Sequence, residues 1–180
     1  MVIALILLLT QGALGAFDTI YYHEYVLRLP AQPHARHELQ LHAFRDFIYA
    51  LIFGTLGWLT WNGLLAWIFM ALLITEIGIT LADFLEEDRI RKLPAGERVM
   101  HSLMGILYGL FLAYLFPSIL HWLRQPTGFG HAYYGPLSWL FSLMAVGVFV
   151  SGLRDYLSSS RKTEVPVFWR RFPRKQEEKS

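Results

Sequence analysis

The sequence predicts an all-α integral membrane protein with five transmembrane helices. A duplicated two-helix unit forms a pseudo-twofold four-helix bundle, and one C-terminal helix is added to it. Three observations predict this. Only 17% of the residues are charged, below the roughly 25% of an average soluble domain. The apolar residues gather in five long runs, each near the ~20 residues needed to cross a bilayer. Finally, an acid, an imidazole and a phenol recur at the same spacing in two places.

The first run, Met1–Phe17, has no basic residues ahead of it and reads as a retained span rather than a cleaved leader. The second is Phe47–Trp61 and the third Gly63–Ala82, with only "TWNG" joining them. The fourth is Leu103–Leu120 and the fifth Leu137–Leu153. Lys and Arg sort to one side of this arrangement. Arg28, Arg36 and Arg45 follow the first run, Arg89, Arg91, Lys92 and Arg98 follow the third, and Arg154 leads a basic stretch after the fifth. The opposite side offers Arg124 alone. The positive-inside rule then places the N-terminus outside and the C-terminus in the cytoplasm, in an inner or plasma membrane.

Four segments follow: a first two-helix repeat over 1–61, a second over 62–123, an outer loop with the fifth span over 124–158, and a basic-aromatic tail over 159–180. Phe168, Trp169 and Phe172 among the basic residues of that tail suit a lipid surface. Cysteine is absent, which excludes disulfides and thiolate metal sites. Phosphate loops, nucleophile elbows and nucleotide fingerprints are also missing, and nothing beyond charge points to nucleic acid.

The repeat is longer than its most visible part. Leu7-Leu8-Leu9-Thr10-Gln11 matches Leu72-Leu73-Ile74-Thr75-Glu76, and an Asp follows seven residues later in each copy, at Asp18 and Asp83. Leu29-Pro30 matches Leu93-Pro94, with "AQPHARH" as an added loop in the first copy. Then come Glu38, His42 and Tyr49 in the first copy and Glu97, His101 and Tyr108 in the second. Spacings of four and seven place each set on one helix face. Glu76, Thr80, Asp83 and Glu87 share a stripe in the same way, as do Gln11, Gly15, Asp18 and Tyr22. Glu76 lies about 10 Å deeper than Asp83 at the helical rise, and a carboxyl at that depth belongs inside the bundle. Gly12, Gly15, Gly54, Gly78, Gly105 and Gly109 are candidates for close helix contacts.

In chain order the four helices supply a carboxylate, a Glu with a His, a carboxylate, and a Glu with a His. This order resembles the ferritin-like dimetal-carboxylate proteins, although the spacing here is Glu-x-x-x-His and the lone carboxylates are Asp. The resemblance implies a dinuclear site of iron or manganese, with Asp18, Glu38, His42, Asp83, Glu97 and His101 as ligands. Glu76 and Glu87 are outer candidates, and Tyr49 and Tyr108 are candidates for gating or electron relay. Oxygen-dependent hydroxylation or desaturation of a lipid-like substrate follows as the expected reaction, with membrane lipid and an electron-donor protein as partners. His23 reads as a loop residue, with an extra ligand as its other reading, and Asp46 as an acceptor that orients His42.

Two other functions are open on these residues. One is an ion or proton carrier, or a scaffold subunit, in which Glu76 holds the cargo and the Glu/His pairs are helix-end salt bridges. The other is a haem protein with His42 and His101 as axial ligands.

Overall fold

The computed structural model describes residues 1–160, Pro33 by its backbone alone. The basic-aromatic residues 161–180 lie outside the described residues. The described chain is mostly helical, with long helices α1 (Val2–Asp18), α2 (Arg36–Leu56), α3 (Leu64–Ile90), α4 (Ala95–Leu123) and α5 (Pro136–Ser160). Two short strands, β1 (Leu59–Asn62) and β2 (Gly128–His131), pair antiparallel with Trp61 opposite Phe129.

Four of the helical segments are long and apolar enough to cross a membrane: Val2–Leu27, Leu64–Ile90, Ala95–Leu123 and Pro136–Ser160. α2 is not among them. The expected second span, Phe47–Trp61, is not one helix, because α2 ends at Leu56 and Leu59–Asn62 is strand. The first half of α2 instead carries Glu38, His42, Arg45 and Asp46, which dilute its apolar character.

Exposure on these helices is inverted relative to a water-soluble protein. Leu85 is 74% exposed while Glu87, two residues on, is 1% exposed. Ile74, Leu81, Ile106, Leu143 and Val146 also face outward. An apolar exterior with buried charge suits lipid, which cannot solvate a carboxylate.

The helices pack across the chain order. α1 lies along α4 and α2 along α3, while α5 makes its most extensive contact with α2. Small residues permit that last contact. A side chain at Gly152 would meet Asp46 Cβ at 2.9 Å and the Ala43 carbonyl at 3.2 Å, and one at Gly57 would meet Phe141. Gly54 faces Ala145, and Gly12 fits beside Met144 and Phe53. Gly15 approaches only Met104, and Gly78, Gly105 and Gly109 have nothing within 4 Å, so these last three are not contact glycines.

The two ends of the bundle differ. At the sheet end an apolar core gathers Leu5, Leu8, Phe53, Phe69, Phe111 and Phe141. Trp61 packs there against Phe69 and Phe129. Gly63, at φ +61°, makes the sharp entry into α3, and its N–H donates to the Trp122 carbonyl at 2.8 Å. The opposite end holds the buried acids and imidazoles.

After Asp18, α1 continues as a π-helix, Thr19–Leu27, which Arg28 ends in the left-handed region. Its wider turn bonds residues five apart rather than four. His23 therefore comes round to the side of Asp18, and its Nε2 lies 3.4 Å from Asp18 Oδ2.

The packing of α5 on α2 gives a direct expectation. Gly152→Val should force the two helices apart and lower stability by about 1–3 kcal/mol, the usual cost of overpacking. Gly147→Val, where a side chain meets open space, should leave the melting temperature in detergent nearly unchanged. Thermal unfolding of the two variants in one detergent checks the difference.

Candidate metal centre

Three imidazoles and five carboxylates converge at the charged end, from five different helical segments. Asp18 ends α1, His23 stands on the π-helix, Glu38 and His42 on α2, Asp83 and Glu87 on α3, Glu97 and His101 on α4. All are buried except His101, which is partly so.

Two pairs cross between neighbouring helices. Asp83 Oδ2 of α3 is 3.0 Å from His42 Nε2 of α2, and Asp18 Oδ2 of α1 is 3.4 Å from His101 Nε2 of α4. Each pair joins an Asp to an imidazole that the sequence places on the other repeat. His101 Nδ1 lies 3.5 Å from Glu87 Oε2, and His23 Nε2 lies 3.5 Å from Glu97 Oε1. The rings of His23 and His42 stack nearly parallel with centroids 4.6 Å apart. Phe84 stacks on His101 in the same manner.

Arg91, just beyond α3, caps the cluster. Its guanidinium reaches Glu97 at 2.8 Å, Glu38 at 2.9 Å and Glu87 at 3.2 Å. Burial works against its charge, and the hydrogen bonds to Glu97 and Glu38 outweigh that, so its pKa is raised above the ordinary arginine value. Arg45 of α2 adds a contact of 2.7 Å to Asp83.

This leaves a deficit of positive charge. Arg45 and Arg91 are two guanidiniums facing five carboxylates. Buried charge is tolerated only when compensated, so the rest is supplied by protons on the imidazoles or on the carboxylates themselves, or by cations. Several atoms of the cluster are left without a partner. Asp18 Oδ1, Glu38 Oε2, Asp83 Oδ1 and Glu87 Oε2 have no hydrogen-bond partner. The Nε2 atoms of His23 and His42 stand at ion-pair distance from Asp oxygens but are misaligned for a hydrogen bond.

Two groups have ligand atoms close enough to share one ion. One is His23, Glu87, Glu97 and His101; the other is His23, Glu38, His42 and Glu87. Within each, the candidate ligand atoms lie within 4.8 Å of one another. Glu38, His42, Glu97 and His101 of the expected ligands thus fall in one group or the other. Asp18 and Asp83 fall in neither and face the imidazoles instead. Glu87 belongs to both groups, and Glu76 to neither.

His23 also belongs to both groups, and α-helical periodicity hides it. A regular helix through Gln11 and Asp18 would bring Tyr22 inward, and only the π-turn brings His23 there. Tyr22 instead packs its hydroxyl against Gly96, at the start of α4.

α5 contributes Asp155, whose Oδ2 is 4.0 Å from His42 Nδ1. Asp155 is the acid at ion-pair distance from this nitrogen, while Asp46 lies among Arg45, Asp155, His42 and Ser151. Arg154 beside it pairs with Asp155 at 2.7 Å and with Glu24 at 2.9 Å.

A cavity of about 690 Å³ runs from this cluster into the bundle, with mostly apolar walls that include Gly15, Ile77, Leu81, Met104 and Val148. Tyr49 and Tyr108 line its deeper part and meet edge to face, with centroids 6.2 Å apart.

Comparison with family models, with curated proteins and with solved structures finds no match to this chain. Any function must therefore be argued from the site.

Removing the capping guanidinium should expose how much it holds. Arg91→Met leaves Glu38, Glu87 and Glu97 facing one another, and breaking a buried pair in this way costs about 3–5 kcal/mol. The metal-depleted variant should melt well below metal-depleted wild type. Arg89→Met, which removes only an exposed partner of Glu86, should melt with wild type.

Proposed function

We propose that this chain is an integral membrane metalloprotein. It holds two ions, iron or manganese, at the charged end of a duplicated four-helix bundle. The observation that carries the proposal is the pair of four-residue groups that share Glu87. Glu87 would serve both positions, with its Oε2 unpartnered and its Oε1 accepting from Arg91. Glu97 and His101 complete one position, and Glu38 and His42 the other. His23, which has one open nitrogen, serves one of them. Carboxylate and imidazole donors suit iron and manganese. Asp18 holds the His101 ring, as carboxylates commonly do beside metal-bound histidines, and Asp83 stands at ion-pair distance from His42.

Duplication accounts for the layout. A pseudo-twofold axis along the bundle exchanges α1 with α3 and α2 with α4, and so carries the Asp18–His101 pair onto the Asp83–His42 pair. Tyr49 and Tyr108 are exchanged as well. On the positive-inside rule the cluster faces the cytoplasm, and α2, with its charges turned inward, completes five spans.

The reaction that fits best is oxygen-dependent hydroxylation or desaturation of a lipid chain. Such ions, when bound, supply the power to activate dioxygen against an unactivated C–H bond. The residues of the chain do the rest. The apolar walls between Gly15 and Met104 align an acyl or prenyl chain and exclude water. The cavity volume lies within the ~300–1,000 Å³ of small-molecule sites.

One observation favours a carrier instead. Glu76, midway along α3, is buried with Oε2 unpartnered. A single haem iron between His42 and His101 has less support, since these residues fall in different groups and each faces an Asp.

Elemental mass spectrometry on protein purified in mild detergent separates these readings. About two ions per chain are expected, and Glu87→Gln should lose both, because a bridging ligand serves each position. His42→Ala and His101→Ala should each lose at least one. Manganese should raise the melting temperature of Arg91→Met more than that of wild type, since Arg91 occupies carboxylates that the ions need. Folded protein that stays metal-free after reconstitution with iron and manganese would rule out the metalloprotein and favour the carrier.

Substrate access has its own test. A side chain at Gly105 meets nothing within 4 Å, and the residue lines the cavity. Gly105→Leu should therefore retain metal and fold while blocking turnover of a lipid substrate.

A further inference from the structure

Deeper in the same cavity lies a second set of polar groups, separate from both metal groups. Glu76 is 2% exposed and sits about midway along α3. At the helical rise it is about 10 Å from the level of Asp83. Its Oε1 accepts the Thr80 hydroxyl at 2.8 Å, and its Oε2 has no partner. Gln11 Oε1 and the Tyr108 hydroxyl are also buried without a partner. Tyr49 interacts with Gln11 and with Glu76, and Tyr108 stands beside Glu76 as well. All four residues line the cavity.

We propose that Gln11, Tyr49, Glu76 and Tyr108 form a binding site for the ring hydroxyls of a lipid-soluble hydroquinone. Three observations select that class. The open atoms on Glu76 and Gln11 are oxygens, and the open Tyr108 hydroxyl can donate or accept, so a ligand hydroxyl, which does both, satisfies them. The depth excludes a phosphate or zwitterionic headgroup, because carrying full charge to the middle of a bilayer is prohibitive. An uncharged ring with hydroxyls can travel there. Finally, the edge-to-face pair of Tyr49 and Tyr108 offers aromatic surface to a flat ring, while the apolar walls take its tail.

The site stands on residues outside both metal groups, so it holds whether or not a metal binds. Under the hydroxylase reading it would also replace the expected electron-donor protein. A hydroquinone oxidised to its quinone releases the electron pair and the protons that reduce the second oxygen atom of dioxygen to water, while the first enters the lipid C–H bond as a hydroxyl.

Binding can be measured without turnover. Full-length protein in detergent, stripped of metal by chelator and kept anaerobic, is titrated with tritiated decyl-benzohydroquinone in a scintillation-proximity assay. Saturable binding to wild type is expected, at least about tenfold weaker in Glu76→Leu and in Gln11→Leu, each of which removes an acceptor. Tyr108→Phe deletes one oxygen atom and should also weaken binding, which keeps the test decisive if either leucine variant fails to fold. The quinone form, which cannot donate, should bind more weakly than the hydroquinone. The proposal is overturned if wild type shows no saturable binding, if folded variants bind as wild type does, or if decanol competes as effectively as the ring compound. Because the metal has been removed, none of these results depends on the metalloprotein reading.

Discussion

Everything at the charged end of this bundle follows from carboxylates that neither lipid nor water can solvate. The outer surface is apolar, so each acid must find its compensation from a neighbouring helix. Asp18 looks to α4, Asp83 to α2, and Glu38, Glu87 and Glu97 all look to Arg91. These crossings fix the rotation of four helices about their own axes. Turning any one by a single residue would place a charge against lipid.

The bundle is consequently held by different means at its two ends. Near the sheet, large aromatic and aliphatic side chains interlock, and dispersion supplies the cohesion that apolar burial cannot supply within lipid. Toward the cluster, directional pairs replace packing and leave room for a cavity. α5 serves both ends. Its glycine contacts bring it close to α2, and that closeness carries Asp155 to His42 and Arg154 to Glu24. The fifth helix thus joins α2 to the π-helical end of α1, and is more than lateral packing.

Much of this is legible in the sequence. The apolar runs reveal the membrane class because lipid requires continuous hydrophobicity along a helix. The repeated Glu38/His42 and Glu97/His101 pairs reveal which residues turn inward, since helical spacing and burial act together there. Other features are hidden for identifiable reasons. His23 is off the predicted stripe because a π-turn cannot be read from a period of 3.6. Arg91 looks like a solvated loop cation, as the positive-inside rule would have it, until the three acids around it are seen. Glu87 looks peripheral because its centrality depends on where α2 and α4 arrive. Leu59-Thr60-Trp61-Asn62 looks like the end of a helix because four residues are too few to distinguish a strand from an apolar tail. Asp155 lies beyond the repeat, so no internal echo points to it.

The β1–β2 pairing ties the α2–α3 connection to the α4–α5 connection at one end only. At the opposite end the short connection 91–94 joins α3 to α4, and between the two ties the helices make little mutual contact. Mechanically the pair is a frame clamped at both ends, with a long side of about 43 Å for the 29 residues of α4 at 1.5 Å per residue. Slack in such a frame gathers at mid-length, beside the cavity, rather than at either tie.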